Sequence, residues 1–251
     1  MTRHVFATMG TMVSLTLDAE SATDAAMIAR IEATFSAAEA RFSRYRSDSE
    51  LSRVVAGALR LPGASPELRA AYAEAIEWRG RTDGAFTPHR PDGSIDLDGI
   101  VKSATMREVG ELLEAEGCRD WSLVVGGDQL VAGVGAAGTP WTTGIVDPAD
   151  RGALLCSVVL RPPRRAIASS GNAERGDHIW TAGLAPEFVQ VTVVADDIVT
   201  ADVLATAIVS GGDATLGEAC ARWPIDVLTV DRAGALRATG GFRAALATAE
   251  Q

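Results

Sequence analysis

Thr200-Ala201-Asp202-Val203-Leu204-Ala205-Thr206-Ala207-Ile208-Val209-Ser210-Gly211-Gly212 is the stretch from which the rest of the chain can be read. Nearly every side chain in it is apolar, with Thr200 placed to cap a helix and the Gly211-Gly212 pair to stop one. Asp202 and Thr206 stand four residues apart and therefore share a helical face, surrounded by Val203, Leu204, Ala207 and Ile208. A helix this apolar belongs in a core. A buried carboxylate needs a counter-charge, hydrogen bonds or a metal, and an Asp with a hydroxyl one turn away offers the oxygens that a hard cation takes. The other reading of Asp202 is a carboxylate in the first turn that complements the helix dipole.

The chain has 251 residues, 47% of them hydrophobic, enough to bury a full core. A net charge of −10, with no face of clustered Arg and Lys, argues against nucleic acid and leaves small ligands or proteins as expected partners. Cys118, Cys156 and Cys220 are odd in number and widely spaced, so neither a disulfide framework nor a zinc cage is indicated; they read as reduced, mostly buried thiols. The opening Met1-Thr2-Arg3-His4-Val5-Phe6 soon turns polar, with no apolar run of signal or membrane length, so a cytoplasmic protein is expected. Lys102 is the only lysine; every other basic residue is Arg. A compact ammonium in a chain that otherwise uses guanidinium marks a place where a point charge is wanted rather than a flat fork.

Outward from the helix, residues 3–17 alternate as a strand interrupted at Met9-Gly10-Thr11, where the Gly points to a bulge or a close backbone approach. Ser21-Ala22-Thr23-Asp24 opens an amphipathic helix with Met27, Ile31, Phe35 and Ala38 on its inner face, reaching about Arg41. The polar run from Phe42 to Arg53 begins as a loop and re-enters a short helix; Arg44, Tyr45 and Arg46 in it could meet a phosphate or ring, or form a solvated rim. Ser65-Pro66-Glu67 starts a helix to about Arg81, and a third helix spans about Val101 to Glu116 with Lys102 in its first turn, a placement that calls for an anionic partner. Two strand pieces flank Gly126-Gly127-Asp128. Further strands are expected at about 141–147, 154–161, 165–169, 188–195 and 225–230, a helix at 214–223, and a small frayed end from Ala244. Together these give one α+β domain over residues 1–251, with mixed or antiparallel sheets flanked by helices.

Gly133-Val134-Gly135-Ala136-Ala137-Gly138 matches G-x-G-x-x-G in letters, but a strand follows it instead of a helix that could hold a pyrophosphate, so it reads as a hairpin turn. No G-x-S-x-G elbow, phosphate-binding P-loop or H-E-x-x-H is present.

In chain order, the pieces resemble the ApbE-type FAD:protein FMN transferases. Met9-Gly10-Thr11 is similar to the family's M-G-T, Arg41 to Arg53 to its serine-rich segment, and Asp83-Gly84-Ala85-Phe86 to its D-G-A-F. Asp96-Leu97-Asp98-Gly99-Ile100-Val101-Lys102 resembles D-L-G-x-I-A-K, Gly126-Gly127-Asp128 the G-G-D, Ser170-Gly171 with His178-Ile179 the S-G…H-I, and Thr200 to Thr206 the T-A-D-A-L-A-T. The resemblance implies Mg²⁺-dependent transfer of FMN from FAD to a threonine of an acceptor flavoprotein, releasing AMP. It implies metal ligands at Asp202, Thr206 and the Gly99 carbonyl, and flavin contacts at Met9, Tyr45, Ala85, Phe86, Thr87, Asp96, Lys102 and Trp180. It implies His178 as the base for the attacking threonine, a role imidazole suits near neutral pH. Two departures from the family pattern stand out: Thr181-Ala182 replace its Asp-Pro, and the loop from Phe86 to Asp96 is shorter than usual. FAD held without transfer, or hydrolysed to FMN and AMP, are the alternative outcomes for the same residues.

Overall fold

Met9 and Gly10 both take left-handed backbone angles (φ 49° and 69°), so the N-terminal alternation folds back on itself. It forms a hairpin of β1 (Thr2–Thr8) and β2 (Thr11–Leu17) in place of the single interrupted strand expected from the sequence. Two positive φ values in a two-residue turn match the right-handed twist of paired strands, whereas a bulge would leave one residue unpaired. The computed structural model describes residues 1–18, 24–171 and 187–247.

Helix α1 (Ala25–Phe42) is capped by Asp24, whose carboxylate accepts the Met27 N–H at 3.0 Å, and it buries Met27, Ile31, Phe35 and Ala38 as their spacing requires. Ser49 and Ser65 cap α2 (Glu50–Val55) and α3 (Pro66–Arg81) in the same way. Helix α4 (Asp98–Ala115) begins three residues earlier than its apolar pattern indicated, which moves Lys102 from the first turn into the second. After it come β3 (Trp121–Val125) and β4 (Asp128–Ala132), joined by Gly126 and Gly127 at φ 57° and 95°. The chain continues through β5 (Trp141–Val146), β6 (Leu154–Leu160), β7 (Ala166–Gly171), β8 (Phe188–Ala195), α5 (Ile198–Arg222) and β9 (Asp226–Asp231). The short β10 (Leu236–Ala238) and α6 (Gly240–Ala244) follow.

Eight strands form one sheet in the order β1-β2-β3-β4-β7-β8-β9-β10, and β5 with β6 form a second; every pairing among the described residues is antiparallel. The fold is α+β. Alternation along the central strands divides the core into two layers. Leu130, Ala166, Ala168, Val193 and Val227 join the larger cluster with the helices, while Val131, Ile167, Val194 and Leu228 point the other way, onto Ile145, Val158, Leu160 and Phe242. The Gly133–Gly138 segment is therefore a corner between two sheets, not a hairpin turn, because β4 and β5 do not pair. Residues 245–247 are tied down where fraying was expected: Leu246 bridges to Val158, and the Ala247 N–H donates to the Ser157 carbonyl at 2.8 Å. Of the three cysteines, all free, only Cys118 is buried; Cys156 is half-buried and Cys220 exposed, against the expectation of mostly buried thiols.

Helix α5 carries the stretch that organised the sequence. Its cap is Asp197 instead of Thr200: the Asp197 carboxylate accepts the Thr200 N–H at 2.8 Å and the Thr200 hydroxyl at 3.1 Å, so Ile198 and Val199 join the helix. Gly212, at φ 68°, breaks the helix where a stop was expected, and the Glu187 carboxylate accepts the Asp213 N–H as the helical path resumes. By length and hydropathy α5 is long and apolar enough to cross a membrane, but Ala201, Val203, Leu204, Ala207 and Ile208 are fully buried in this protein's own core. Their apolar surface is already covered.

Candidate active-site cleft

Helices α4 and α5 pack against one another, and this contact brings the lone lysine to the first polar residue of α5. Lys102 projects from the second turn of α4 and Asp202 from the first turns of α5, and Asp128 reaches them from the first position of β4. All three are buried, at 7%, 3% and 1% exposure. The Lys102 ammonium is ion-paired with Asp128 Oδ2 and lies 3.6 Å from Asp202 Oδ1. Asp128 Oδ1 accepts the Ser169 N–H at 3.1 Å, fixing the carboxylate from the β7 side. The Asp128 carboxyl is raised to about 6: burial pushes it up and the neighbouring Asp202 charge adds to the rise, against the opposing pull of the Lys102 charge. Lys102 thus has within the protein the anionic partners that its place near the start of α4 called for.

One turn along α5 from Asp202, Thr206 Oγ1 lies 3.0 Å from Ser170 Oγ on β7. Asp202 Oδ2 is fully buried and accepts no hydrogen bond among the described residues. A buried carboxylate oxygen left open, a hydroxyl one turn away, and two carboxylates sharing one ammonium form a donor set of hard oxygens with negative charge to spare. Such a set fits Mg²⁺. Gly99, the third ligand that the resemblance implies, lies in the first turn of α4 with the Phe86 ring against it; a Cβ there would meet Phe86 Cε2 at 3.0 Å.

Lys102 also forms part of the wall of a cleft of about 840 Å³, with Met9, Phe42, Tyr45, Arg46 and Arg151 among the other lining residues. Tyr45, 84% exposed, offers an aromatic face at this wall. Of the flavin contacts that the resemblance implies, the structure gathers Met9, Tyr45 and Lys102 in this one cleft. Asp96 lies behind it: its carboxylate is held by Arg44 at 2.8 Å and Arg90 at 3.6 Å, and accepts the Asp98 N–H at the start of α4. Phe86 is buried in the core beneath Gly99, Ala85 sits where a Cβ on Gly211 would meet its own Cβ at 3.3 Å, and the Thr87 hydroxyl accepts the His89 N–H. His178 and Trp180 lie outside the described residues.

Asp128 and Ser170 belong to motifs quoted from the sequence, but the sequence assigned neither side chain a role in the site. Asp128 looked like part of a Gly-Gly-Asp turn; its signal is an ionisable residue opening the otherwise buried strand Asp128–Ala132. Arg46 and Arg151 line the cleft together with Glu39 and Asp98, and Arg46 is exposed and held by Asp48 at 2.9 and 3.1 Å; in the loop after Phe42, Arg44 is tied to Asp96.

No curated protein sequence matches this chain. Solved structures do: flavin transferase ApbE from Vibrio cholerae, 22% identical over 98% of this chain and 99% of that one with a TM-score of 0.76, shares the fold. So does the ApbE protein from Thermotoga maritima (18% identity, 98% and 99% covered, TM-score 0.79). The flavinyl transferase ApbE from Pseudomonas stutzeri does as well (21%, 97% and 96%, TM-score 0.78). The ApbE family model matches residues 9–90 and 87–228, which span the hairpin turn, the cleft wall and the Lys102–Asp128–Asp202 group. The chain belongs to the ApbE family.

Proposed function

We propose that this protein transfers the FMN half of FAD to a threonine hydroxyl of an acceptor protein and releases AMP. The observation that carries the reading is the buried Lys102–Asp128–Asp202 group set against the wall of a cleft that also offers Tyr45, Arg46 and Arg151. Fixed cations suit a diphosphate, and an exposed aromatic face suits a planar ring. Asp202, Thr206 and the Gly99 carbonyl would hold Mg²⁺, which when bound offsets charge on the diphosphate oxygens.

In the reaction the threonine Oγ attacks the FMN phosphorus, the bond from that phosphorus to the bridging oxygen breaks, and AMP departs with the oxygen as a phosphate monoester. The threonine proton passes to His178 and on to solvent, so atoms and charge balance. The contribution of the chain is positioning and charge neutralisation rather than a covalent intermediate. Lys102 is held in place before substrate arrives by two carboxylates, so little reorganisation is needed when phosphate charge develops nearby. The three free thiols suit a reducing compartment, and we place the reaction in the cytoplasm.

The test is FAD binding followed by flavin fluorescence, with AMP measured by chromatography, in wild type and Asp202→Ala. Saturable FAD binding, with AMP released only in the presence of acceptor and lost in Asp202→Ala, supports the reading. AMP released without acceptor would indicate hydrolysis; FAD bound and left intact would indicate binding alone. Either result replaces the proposal.

A further inference from the structure

We infer that Asp128 is a positioning residue that keeps Asp202 open for a divalent cation by occupying the Lys102 ammonium. This rests on the metal role proposed above for Asp202, but not on FAD or on transfer. Asp202 and Lys102 are both buried and their charged atoms are only 3.6 Å apart, so the ammonium is the nearest rival to any cation that Asp202 could bind. A fully formed Lys102–Asp202 pair would neutralise the carboxylate and consume its lone pairs. The structure instead puts the shorter contact on Asp128, from a different element: Asp128 Oδ2 and Asp202 Oδ2 are both buried with no hydrogen bond among the described residues, but Asp128 Oδ2 is the atom paired closely with the ammonium. Asp128 is itself anchored: Ser169 N–H on β7 donates to its other oxygen, so it cannot follow Lys102 toward α5. β4 and β7 thus provide a rigid acceptor that draws the ammonium away from the carboxylate on α5.

The chemistry is charge apportioning within one buried group. Two carboxylates and one ammonium leave a net negative charge on the side that lacks the close contact, and that side is Asp202, with Thr206 one turn away. Removing the Asp128 charge turns Lys102 onto Asp202, because a buried ammonium takes the nearest remaining carboxylate. Removing the Lys102 charge leaves Asp202 without its rival. A purely structural Asp128 predicts the second effect but not the first: the gain on removing Lys102 follows from the 3.6 Å contact alone, whereas a loss on removing only the Asp128 charge does not.

The experiment reads Mn²⁺ binding by electron paramagnetic resonance in the full chain without FAD, so that loss of flavin chemistry does not enter. Asp128→Asn keeps the shape and the acceptor for Ser169 N–H, and is expected to weaken Mn²⁺ binding by about tenfold or more, the usual cost of losing a partner that supports a metal ligand. Lys102→Met alone should bind Mn²⁺ more tightly than wild type, and the double variant should return to within about threefold of wild type. Far-UV circular dichroism checks that each is folded; if Asp128→Asn does not fold, the double variant, which lacks both charges, decides. Equal affinity in Asp128→Asn and wild type, or unchanged affinity in Lys102→Met, overturns the inference and leaves the metal role of Asp202 standing. Absence of Mn²⁺ binding in wild type would overturn both.

Discussion

Replacing Lys102 by Met removes the single positive charge between two buried carboxylates, and its effect on stability follows from the geometry. At 3.6 Å, the Lys102–Asp202 attraction alone amounts to about 5 kcal/mol at an effective dielectric near 20. The closer contact to Asp128 adds to it, and the desolvation of the lysine, which Met avoids, works in the opposite direction. Breaking a buried pair by deleting one member costs about 3–5 kcal/mol, since the remaining charge stays buried and uncompensated. For a chain of this size each kcal/mol lowers Tm by roughly 2–4 °C, so Lys102→Met should melt roughly 6–20 °C below wild type in EDTA. A cation that binds only the folded state returns about 2.7 kcal/mol at a hundred times its Kd. Mg²⁺ should therefore restore more of the lost Tm in the variant than it adds to wild type. The assay is thermal unfolding followed by circular dichroism, each protein with EDTA and with millimolar Mg²⁺. A loss below about 1 kcal/mol, the size typical of an exposed pair, would refute the reasoning, as would a variant whose Tm ignores Mg²⁺.

Other expectations concern separate contacts. Ser170→Ala removes the hydroxyl 3.0 Å from Thr206 Oγ1, where the proton of a hydroxyl that ligates a cation can go; Mn²⁺ affinity should fall about tenfold, and Ser170→Thr should preserve it. Gly99→Ala puts a Cβ 3.0 Å from Phe86 Cε2, and because that ring is buried the cost should be about 1–3 kcal/mol in urea unfolding. Glu50 accepts hydrogen bonds from the Ser65 backbone and, at 2.6 Å, from the Ser65 hydroxyl at the start of α3. Burial alone would raise its carboxyl, but the Ser65 bonds with Arg41 and Arg53 outweigh that and hold it below the usual value of 4.5. The stability it contributes is fully present above that value and disappears as pH falls through the lowered folded value. Glu50→Gln should therefore cost about 1–2 kcal/mol at pH 7, and its unfolding midpoint should converge with that of wild type in acid.

What could be read from the residues was whatever depends on local period and local caps. The inner face of α1, the start of α3 at Ser65 and the strands near 141–146, 154–160 and 188–195 all follow from alternation, helical spacing or a cap. The ambiguities arose where two local rules compete. Asp197 and Thr200 are both good caps, and Asp197 wins because the apolar Ile198 and Val199 can then be buried in the helix. A Gly beside Met9 can mark a bulge or a turn, and only the pairing of Thr8 with Thr11 decides. Gly133–Gly138 has the letters of a hairpin loop, yet the strands on either side belong to different sheets. The charged centre was half legible: Asp202 and Lys102 drew attention by their rarity in apolar or Arg-rich surroundings. Asp128 did not, because its role comes from a contact between β4 and α4 that no local pattern encodes.

The central claim is transfer of FMN to a protein, and the direct measurement is intact-protein mass spectrometry of an acceptor bearing a candidate threonine, incubated with this protein, FAD and Mg²⁺. The account predicts a gain of one FMN, less one water, on that threonine, one AMP per adduct, and no adduct with Asp202→Ala. An acceptor of unchanged mass beside bound, intact FAD would contradict it.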